Sequence, residues 1–176
     1  MTARSIASFV ALQVTWFACV LGAAHGMPWL GPLVVLVALG AHLRWTPRAR
    51  RSREVLVLAL TALFGFLLDT SLLSCGVTIL AGARVSPFWL VALWPTVAAA
   101  TAPGASLGSL VGRPSLAALL GALSGPLAYA GGARLGAIAL DPSPLRLNLV
   151  LALCWAPVLP GLFLLRRRVG ADDRRG

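Results

Sequence analysis

Charged residues are scarce in this sequence, and lysine is absent. Only 11% of the 176 residues are charged, and all 15 basic residues are arginine. Soluble globular domains carry about 25% charged residues. Hydrophobic residues make up 59% of the chain, which is more apolar surface than one small soluble core can bury. The composition therefore excludes a soluble globular domain and predicts a protein that has lipid as its solvent.

Cysteines and catalytic motifs are also sparse. The three cysteines, Cys19, Cys75 and Cys154, lie far apart, without a CxxC pair or a nearby histidine cluster. The sequence therefore predicts neither a metal site nor a redox pair. It contains no HExxH or GxSxG motif and no pair of carboxylates within one apolar run. We expect no cofactor, and an enzyme is the least favoured class of function.

The densest charge run is the basic hinge at residues 44–53, which carries five arginines between two long apolar runs. Arginine-rich connectors stay on the cytoplasmic side of a membrane by the positive-inside rule. Arg4, before the first apolar run, and the triplet Arg166-Arg167-Arg168, after the last, follow the same rule. These clusters predict an all-α, polytopic transmembrane helical bundle of about six spans with both termini in the cytoplasm.

In this prediction residues 1–168 form a single integral membrane domain, and residues 169–176 form a short disordered tail. The formal net charge of +10 raises the question of nucleic-acid binding. However, the arginines lie in connectors and at the C-terminal end, and no nucleic-acid-binding motif accompanies them. The expected partner is the lipid bilayer with its anionic headgroups, not nucleic acid. The oligomeric state stays open.

Apolar runs of about 20 residues set the predicted spans, because that length crosses the hydrocarbon core. Pro95 removes a backbone hydrogen bond in the fourth span, so a kink or a break is expected there. The uncharged stretch 85–112 is too long for one upright span, which leaves open one kinked span or a span plus an interfacial segment. The six predicted spans cover about residues 5–24, 29–43, 55–74, 87 to the Pro103-Gly104 pair, 114–131 and 145–165.

Asp69 is the strongest candidate for a functional residue, because it is the one ionisable side chain in the apolar run 55–74. A carboxylate at the centre of a membrane helix costs about 2.5–3.5 kcal/mol on insertion scales. Gly65 lies one turn earlier on the same helix face and allows a neighbouring helix to approach closely. Two interpretations are open. Asp69 marks a functional site, or it is a structural partner of Gln13, of hydroxyl groups or of an arginine, for which the candidates are Arg84, Arg134 and Arg146.

The candidate intramembrane polar site also includes Gln13, His25, Tyr129 and Arg134. The predicted topology places His25, Tyr129 and Arg134 with Asp69 towards the non-cytoplasmic face. Gln13 is either a cavity-lining amide or one half of an interhelical hydrogen bond. His25 is either a proton-handling or ligand-binding residue at the membrane surface or a polar residue in a turn. Arg134 breaks the positive-inside pattern, so we expect it to have an acidic partner, either Asp69 or Asp141.

A family resemblance is carried by five sets of residues: the segment Gln13–Gly22 with Pro28–Pro32, Gly65 with Asp69, Pro87–Trp89 with Leu93-Trp94, Gly125–Tyr129, and Leu135–Ala137. In these positions nearly the whole chain resembles an uncharacterised family of small bacterial inner-membrane proteins, domain of unknown function 2878. Members of that family carry an Asn shortly after the Leu-Trp pair, whereas this chain has none between Pro95 and Pro103. Members also look like genomic neighbours of fatty-acyl-modifying, cyclopropane-synthase-like genes. The resemblance therefore implies a link to membrane lipid metabolism or envelope stress, and it implies no catalytic residues.

Three classes of function are compatible with these observations. The first is a non-catalytic accessory or scaffold component, with lipid-modifying membrane proteins as partners, which fits the short connectors and sparse polar chemistry. The second is a small-solute transporter or substrate-binding membrane subunit that uses Asp69, which fits one intramembrane acid and proline-broken helices. The third is an integral-membrane lipid-modifying enzyme.

Overall fold

The protein is described by a computed structural model, which covers residues 2–79, 83–140 and 143–171. The fold is an assembly of helices, as the composition predicts, with one short strand pair in which β1 (Thr78–Ile79) runs antiparallel to β2 (Ala139–Leu140). Single 3-10 turns lie at Arg48–Arg50 and Gly108–Leu110. The helices are α1 (Ala3–Ala24), α2 (Leu30–Trp45), α3 (Arg51–Ser74), α4 (Phe88–Val91), α5 (Leu93–Ala100), α6 (Pro114–Arg134), α7 (Pro144–Trp155) and α8 (Val158–Ala171).

Membrane-spanning length separates these helices into two groups. Among the described residues, four helical segments are long and apolar enough to cross a bilayer: Ala3–Ala24, Arg48–Ser74, Pro114–Arg134 and Leu145–Gly170, the last of which combines α7 with α8. The apolar helices Leu30–Trp45 and Phe88–Ala100 are shorter. The helical membrane architecture is thereby confirmed, while the number of six spans and the cytoplasmic position of both termini stay predictions. Helix α8 continues three residues into the predicted tail, and residues 172–176 lie outside the described residues.

Prolines break two of the predicted spans. In the fourth, the helix is interrupted at Ala92, between α4 and α5, because Pro95 has no N–H to donate to the carbonyl of Val91. This confirms the expected break. The sixth, predicted as one run, is interrupted at residues 156–157, where Pro157 separates α7 from α8. After Ala100 the chain forms turns and the 3-10 turn Gly108–Leu110, so the stretch 85–112 is a short broken α-helix followed by a connector without further α-helix.

The ends of α1, α3 and α6 share one capping geometry. Each helix is followed by a glycine in the left-handed region, at φ +74°, +69° and +83° for Gly26, Gly76 and Gly136. The next residue then donates its N–H to a carbonyl five positions back, which is the Schellman arrangement. These bonds are Met27 to Gly22 at 2.7 Å, Val77 to Leu72 at 2.9 Å and Ala137 to Gly132 at 2.9 Å. The segment 135–137 therefore turns away from α6 and does not extend it.

Close packing of α1 against α2 depends on a glycine. A Cβ atom built on Gly31 would lie 2.3 Å from the backbone Cα of Cys19, so only a hydrogen fits at that point. Cys19 itself is fully buried and belongs to a core cluster with Val20, Val35 and Trp89. Helix α3 packs instead against α5 and α8, around Val57, Leu58 and Trp94.

Two glycines on α2 provide a matched test of this packing. We expect Gly31→Ala to lower the free energy of unfolding by about 1–3 kcal/mol, because the new methyl group overlaps backbone that cannot move alone. A Cβ on Gly40 would meet nothing within 4 Å, so Gly40→Ala is expected to be neutral or to stabilise the helix by about 0.5–1 kcal/mol. Unfolding of both variants in detergent micelles measures the difference. Equal stability of the two variants would contradict the close α1–α2 contact.

Candidate functional site

Asp69 lies about one and a half turns before the end of α3 and is only 2% exposed. Its two carboxylate oxygens accept hydrogen bonds from different helices. The indole Nε1 of Trp94, on α5, donates to Oδ2 at 2.7 Å. The phenol of Tyr129, on α6, donates to Oδ1. The carboxylate thus links three helices whose contributing residues are distant in the sequence.

Aromatic rings enclose this carboxylate. Trp155, the last residue of α7, stacks on Trp94 with ring centroids 4.8 Å apart and meets the edge of Tyr129 at 6.3 Å. We refer to Asp69, Trp94, Tyr129 and Trp155 as the Asp69 cluster. All four side chains meet where α3, α5, α6 and α7 approach each other, so the bonded carboxylate is surrounded by protein and not by lipid.

Glycines make the room that these rings occupy. A Cβ atom on Gly65 would lie 2.0 Å from Cγ of Trp94, and one on Gly125 would lie 2.3 Å from Cγ of Trp155. Each indole therefore lies flat against the backbone of the neighbouring helix. The sequence predicts close helix approach at Gly65, and the structure shows that the group approaching it is the indole that binds Asp69.

The structure does not pair Asp69 with an arginine, which corrects one of the three structural partners that the sequence left open. Both oxygens are bonded to uncharged donors. Arg84 and Arg134 are exposed, and Arg146 directs its Nη2 to the carbonyl of Cys75 at 3.5 Å. The physical reason is position along the chain: the arginines lie at helix ends or beyond, whereas Asp69 points inwards below the end of α3. Asp141, the other proposed partner of Arg134, lies outside the described residues.

Of the five residues in the predicted polar site, the structure brings together Asp69 and Tyr129. Gln13 is half-buried on α1 and does not take part in the Asp69 hydrogen bonds. His25 is exposed after α1, and its Nδ1 lies 2.9 Å from the carbonyl of Leu21, which fits a polar residue at a helix end. Arg134 is in the last turn of α6. Trp94 and Trp155, which complete the cluster, are residues that the sequence did not indicate as partners of Asp69.

A second buried polar cluster lies at the other end of α3. Arg166 on α8 donates two hydrogen bonds to the carboxylate of Glu54, from Nη1 to Oε2 at 2.6 Å and from Nη2 to Oε1 at 2.9 Å. Nε2 of His42, on α2, lies 2.8 Å from Oε1 of Glu54. Arg166 also donates through Nε to the hydroxyl of Thr101 at 2.9 Å and through Nη2 to the carbonyl of Ala98 at 2.6 Å. We call Glu54, His42, Thr101 and Arg166 the Glu54 cluster.

Sequence reasoning missed the Glu54 cluster. Arg166 was considered only as one of the charges that follow the last apolar run, and Glu54 was not among the candidate residues. A usable signal exists, because Glu54 is the one acidic residue in the first 68 positions and directly follows a run of arginines. What the sequence does not contain is the choice of partner, since Arg166 is 112 residues away.

These clusters join neighbouring helices through hydrogen bonds and an ion pair. Each carboxylate has its oxygens occupied by donors on other helices, and about 22 Å of α3 separates the two, at 1.5 Å per residue. Among the described residues there is no group of three or more His, Cys, Asp or Glu side chains that could hold a metal ion. Both clusters therefore act first as fixed points of the helix packing.

Comparison with known proteins identifies the family. A family model described as "Protein of unknown function (DUF2878)" matches residues 5–161. The chain belongs to this family. The matched region contains the complete Asp69 cluster and, in the Glu54 cluster, every residue except Arg166. No curated protein and no solved structure matches the chain.

The Asp69 cluster predicts a graded series of stabilities. Asp69→Leu leaves the donors of Trp94 and Tyr129 buried without an acceptor, which costs about 1–3 kcal/mol for each group. Tyr129→Phe leaves one group without its partner, Oδ1 of Asp69, while Trp94 still binds Oδ2, so a loss of about 1–3 kcal/mol, smaller than that of Asp69→Leu, is expected. Asp69→Asn keeps one acceptor oxygen and the side-chain volume, and serves as the matched control. Unfolding in detergent micelles measures the series, and an Asp69→Leu variant as stable as the wild type would refute the cluster's structural role.

The Glu54 cluster predicts strong coupling between two distant residues. Glu54→Ala leaves the guanidinium of Arg166 without its carboxylate, which for buried pairs costs about 3–5 kcal/mol. The lower end is expected, since the Arg166 side chain keeps 14% exposure. Arg167→Ala, at the neighbouring exposed position, is the control and should change stability by less than about 0.5 kcal/mol. In a double-mutant cycle, the loss in Glu54→Ala/Arg166→Ala should fall short of the sum of the single losses by at least about 1 kcal/mol. Strict additivity would contradict the pair.

Proposed function

We propose that this DUF2878 member is a non-catalytic accessory or scaffold protein of the bacterial inner membrane, linked to membrane lipid metabolism or envelope stress. One observation carries the proposal. Asp69 and Glu54 are the buried acidic side chains among the described residues, and the oxygens of both accept hydrogen bonds from donors on other helices. A general base or a proton-coupling acid must be within reach of a substrate or of water. Carboxylates whose oxygens are bonded in this way fit a structural role better than a role as a general base or a proton carrier.

The link to lipid is supported by the surface of the protein. Large apolar side chains are exposed along most of the helices, for example Phe9, Leu36, Leu67 and Leu127. Only lipid or a membrane partner can cover such faces. The resemblance of the chain to relatives found beside fatty-acyl-modifying genes points in the same direction. Lipid-modifying membrane proteins are therefore the partners that we propose.

Transport of a small solute is the second candidate, and one observation favours it. Both helix breaks lie next to the Asp69 cluster, since Trp94 follows the interruption at Ala92 and Trp155 precedes the one at residues 156–157. Discontinuous helices near an intramembrane acid are typical of the binding sites of secondary transporters. In that case Asp69 would exchange its aromatic partners for a solute or a proton during the cycle.

Lipid analysis of whole cells tests the proposal. Mass spectrometry would compare the membrane lipids of cells in which the gene is deleted, restored, or restored as Asp69→Asn, with the amount of protein checked in each strain. We expect the deletion to shift the acyl-chain composition, and both restored strains to reverse it, because Asn keeps the shape of the cluster.

Other outcomes assign the alternatives. Failure of Asp69→Asn to restore the profile, at normal protein level, would favour an enzyme. An unchanged profile in every strain would refute the link to lipid metabolism, and loss of uptake of a solute in the Asp69→Asn strain would establish transport.

A further inference from the structure

A cavity of about 110 Å³ lies among α1, α2 and α5, at the end of the bundle that contains the Glu54 cluster. Half of the residues that line it are alanines. Four polar side chains also line it: Arg4 and Ser8 from α1, His42 from α2, and Thr96 from α5. The cavity is thus a small space with a cationic group at the start of the first helix.

An apolar groove between α1 and α2 lies beside this cavity. The groove holds about 580 Å³ and is open along one side. Ala7, Ala11 and Ala38 line both spaces, so the two adjoin each other. The α1 residues of the groove recur at a spacing of three and four, which places them on one face of that helix. The groove is lined by Ala3, Ile6, Ala7, Val10, Ala11, Val14, Thr15, Val34, Val37 and Ala38.

The length of the groove matches one leaflet of a bilayer. From Ala3 to Thr15 the helix rises about 18 Å, at 1.5 Å per residue. The hydrocarbon core is about 30 Å thick, so one leaflet is about 15 Å deep. Ile6, Val10 and Val14 are each about half exposed along this face. The groove is therefore about as long as one leaflet is deep, so an acyl chain that enters from the leaflet can contact apolar side chains along its whole length.

The charged residue in the lining of the cavity, Arg4, indicates which lipid headgroup fits there. Arg4 lies against the connector after α5, since a Cβ on Gly104 would be 3.5 Å from its Cδ, and it has no carboxylate partner among the described residues. Ser8 approaches Ser106 of the same connector, with 3.4 Å between the hydroxyl oxygens. Glu54, the acid nearest this end among the described residues, is already bound by His42 and Arg166. The site therefore presents a net positive charge and hydroxyl groups, which suit a phosphate.

We infer that the groove and the cavity form a binding site for one anionic glycerophospholipid, with an acyl chain between α1 and α2 and the phosphate near Arg4. A free solute phosphate does not account for the apolar groove, and a helix of a second copy does not account for the polar cavity at its end. The inference deepens the proposed function and rests on it for its biological role, since it names a lipid that an accessory protein of lipid metabolism would hold.

Retention of lipid by the purified protein tests the site. The protein in neutral detergent is incubated with equal amounts of phosphatidylglycerol and phosphatidylcholine of the same acyl chains, and native mass spectrometry measures what stays bound. We expect one phosphatidylglycerol per chain. Ala38→Leu fills the point where groove and cavity join, so retention should fall at least tenfold. Ala59→Leu, at an exposed alanine of α3, is the matched control and should retain lipid like the wild type.

The headgroup is tested separately. Arg4→Gln should lower the preference for phosphatidylglycerol about fivefold, because one arginine at an anionic membrane surface contributes about 1 kcal/mol. Arg113→Gln, at an exposed position before α6, is its control and should leave the preference unchanged. Photo-crosslinking of the wild type with a phosphatidylglycerol that carries a diazirine in its acyl chain should label α1 between residues 3 and 15 or α2 between residues 34 and 38.

Several results would overturn the inference. These are the absence of retained lipid, equal retention by the Ala38→Leu and Ala59→Leu variants, adducts confined to other helices, or a lipid-free dimer cross-linked through the groove. The crosslinking uses the wild-type chain, so it decides the matter even where Ala38→Leu fails to fold. Specific retention together with an unchanged lipid profile of deletion cells would uphold the site and refute the proposed function.

Discussion

A carboxylate held away from water is tolerated only when its oxygens accept hydrogen bonds, because the uncompensated charge costs several kcal/mol. In this protein that requirement determines how four helices meet. Trp94 and Tyr129 must both reach Asp69, so α5 packs against α3 at that level, and α6 lies within reach of the Tyr129 side chain. Trp155 then stacks on Trp94 and brings α7 into the same layer. The glycines at positions 65 and 125 follow from this arrangement, since any larger residue would overlap an indole ring.

Helix α3 is consequently anchored at both ends by different chemistry. One end uses uncharged donors around Asp69, and the other uses the guanidinium of Arg166 around Glu54. The first suits the interior of the bundle, where aromatic rings exclude lipid. The second suits the end where arginines collect and where headgroups and water are within reach. The remaining polar groups are mostly hydroxyls that bond to carbonyls of their own helix, such as Thr61 to Val57 at 2.7 Å.

Composition and charge pattern were sufficient to predict a helical membrane protein and the approximate limits of α1, α3 and α6. The position of Pro95 was sufficient to predict the break in the fourth span. These features did not predict the partners of Asp69, because Trp94 and Tyr129 are 25 and 60 residues away and long-range pairing leaves no local pattern. Proline alone was ambiguous as well: α6 continues through Pro126, whereas the chain breaks at Pro157. At the break before Pro157 the carbonyl oxygen of Trp155 lies close to Gly121 on α6, where an added Cβ atom would come within 2.3 Å of it.

The separation of Glu54 from Arg166 also sets the order of events during synthesis. The two residues are 112 positions apart, and ribosomes add about 5–20 residues per second. Glu54 therefore waits about 5–25 s before its final partner has been made. During that interval His42, which precedes it on the adjacent helix, is the hydrogen-bond partner of Glu54 that has already been synthesised. The ion pair between α3 and α8 can therefore form only after the last helix has been synthesised. A chain truncated before α8 would keep the carboxylate of Glu54 without its arginine.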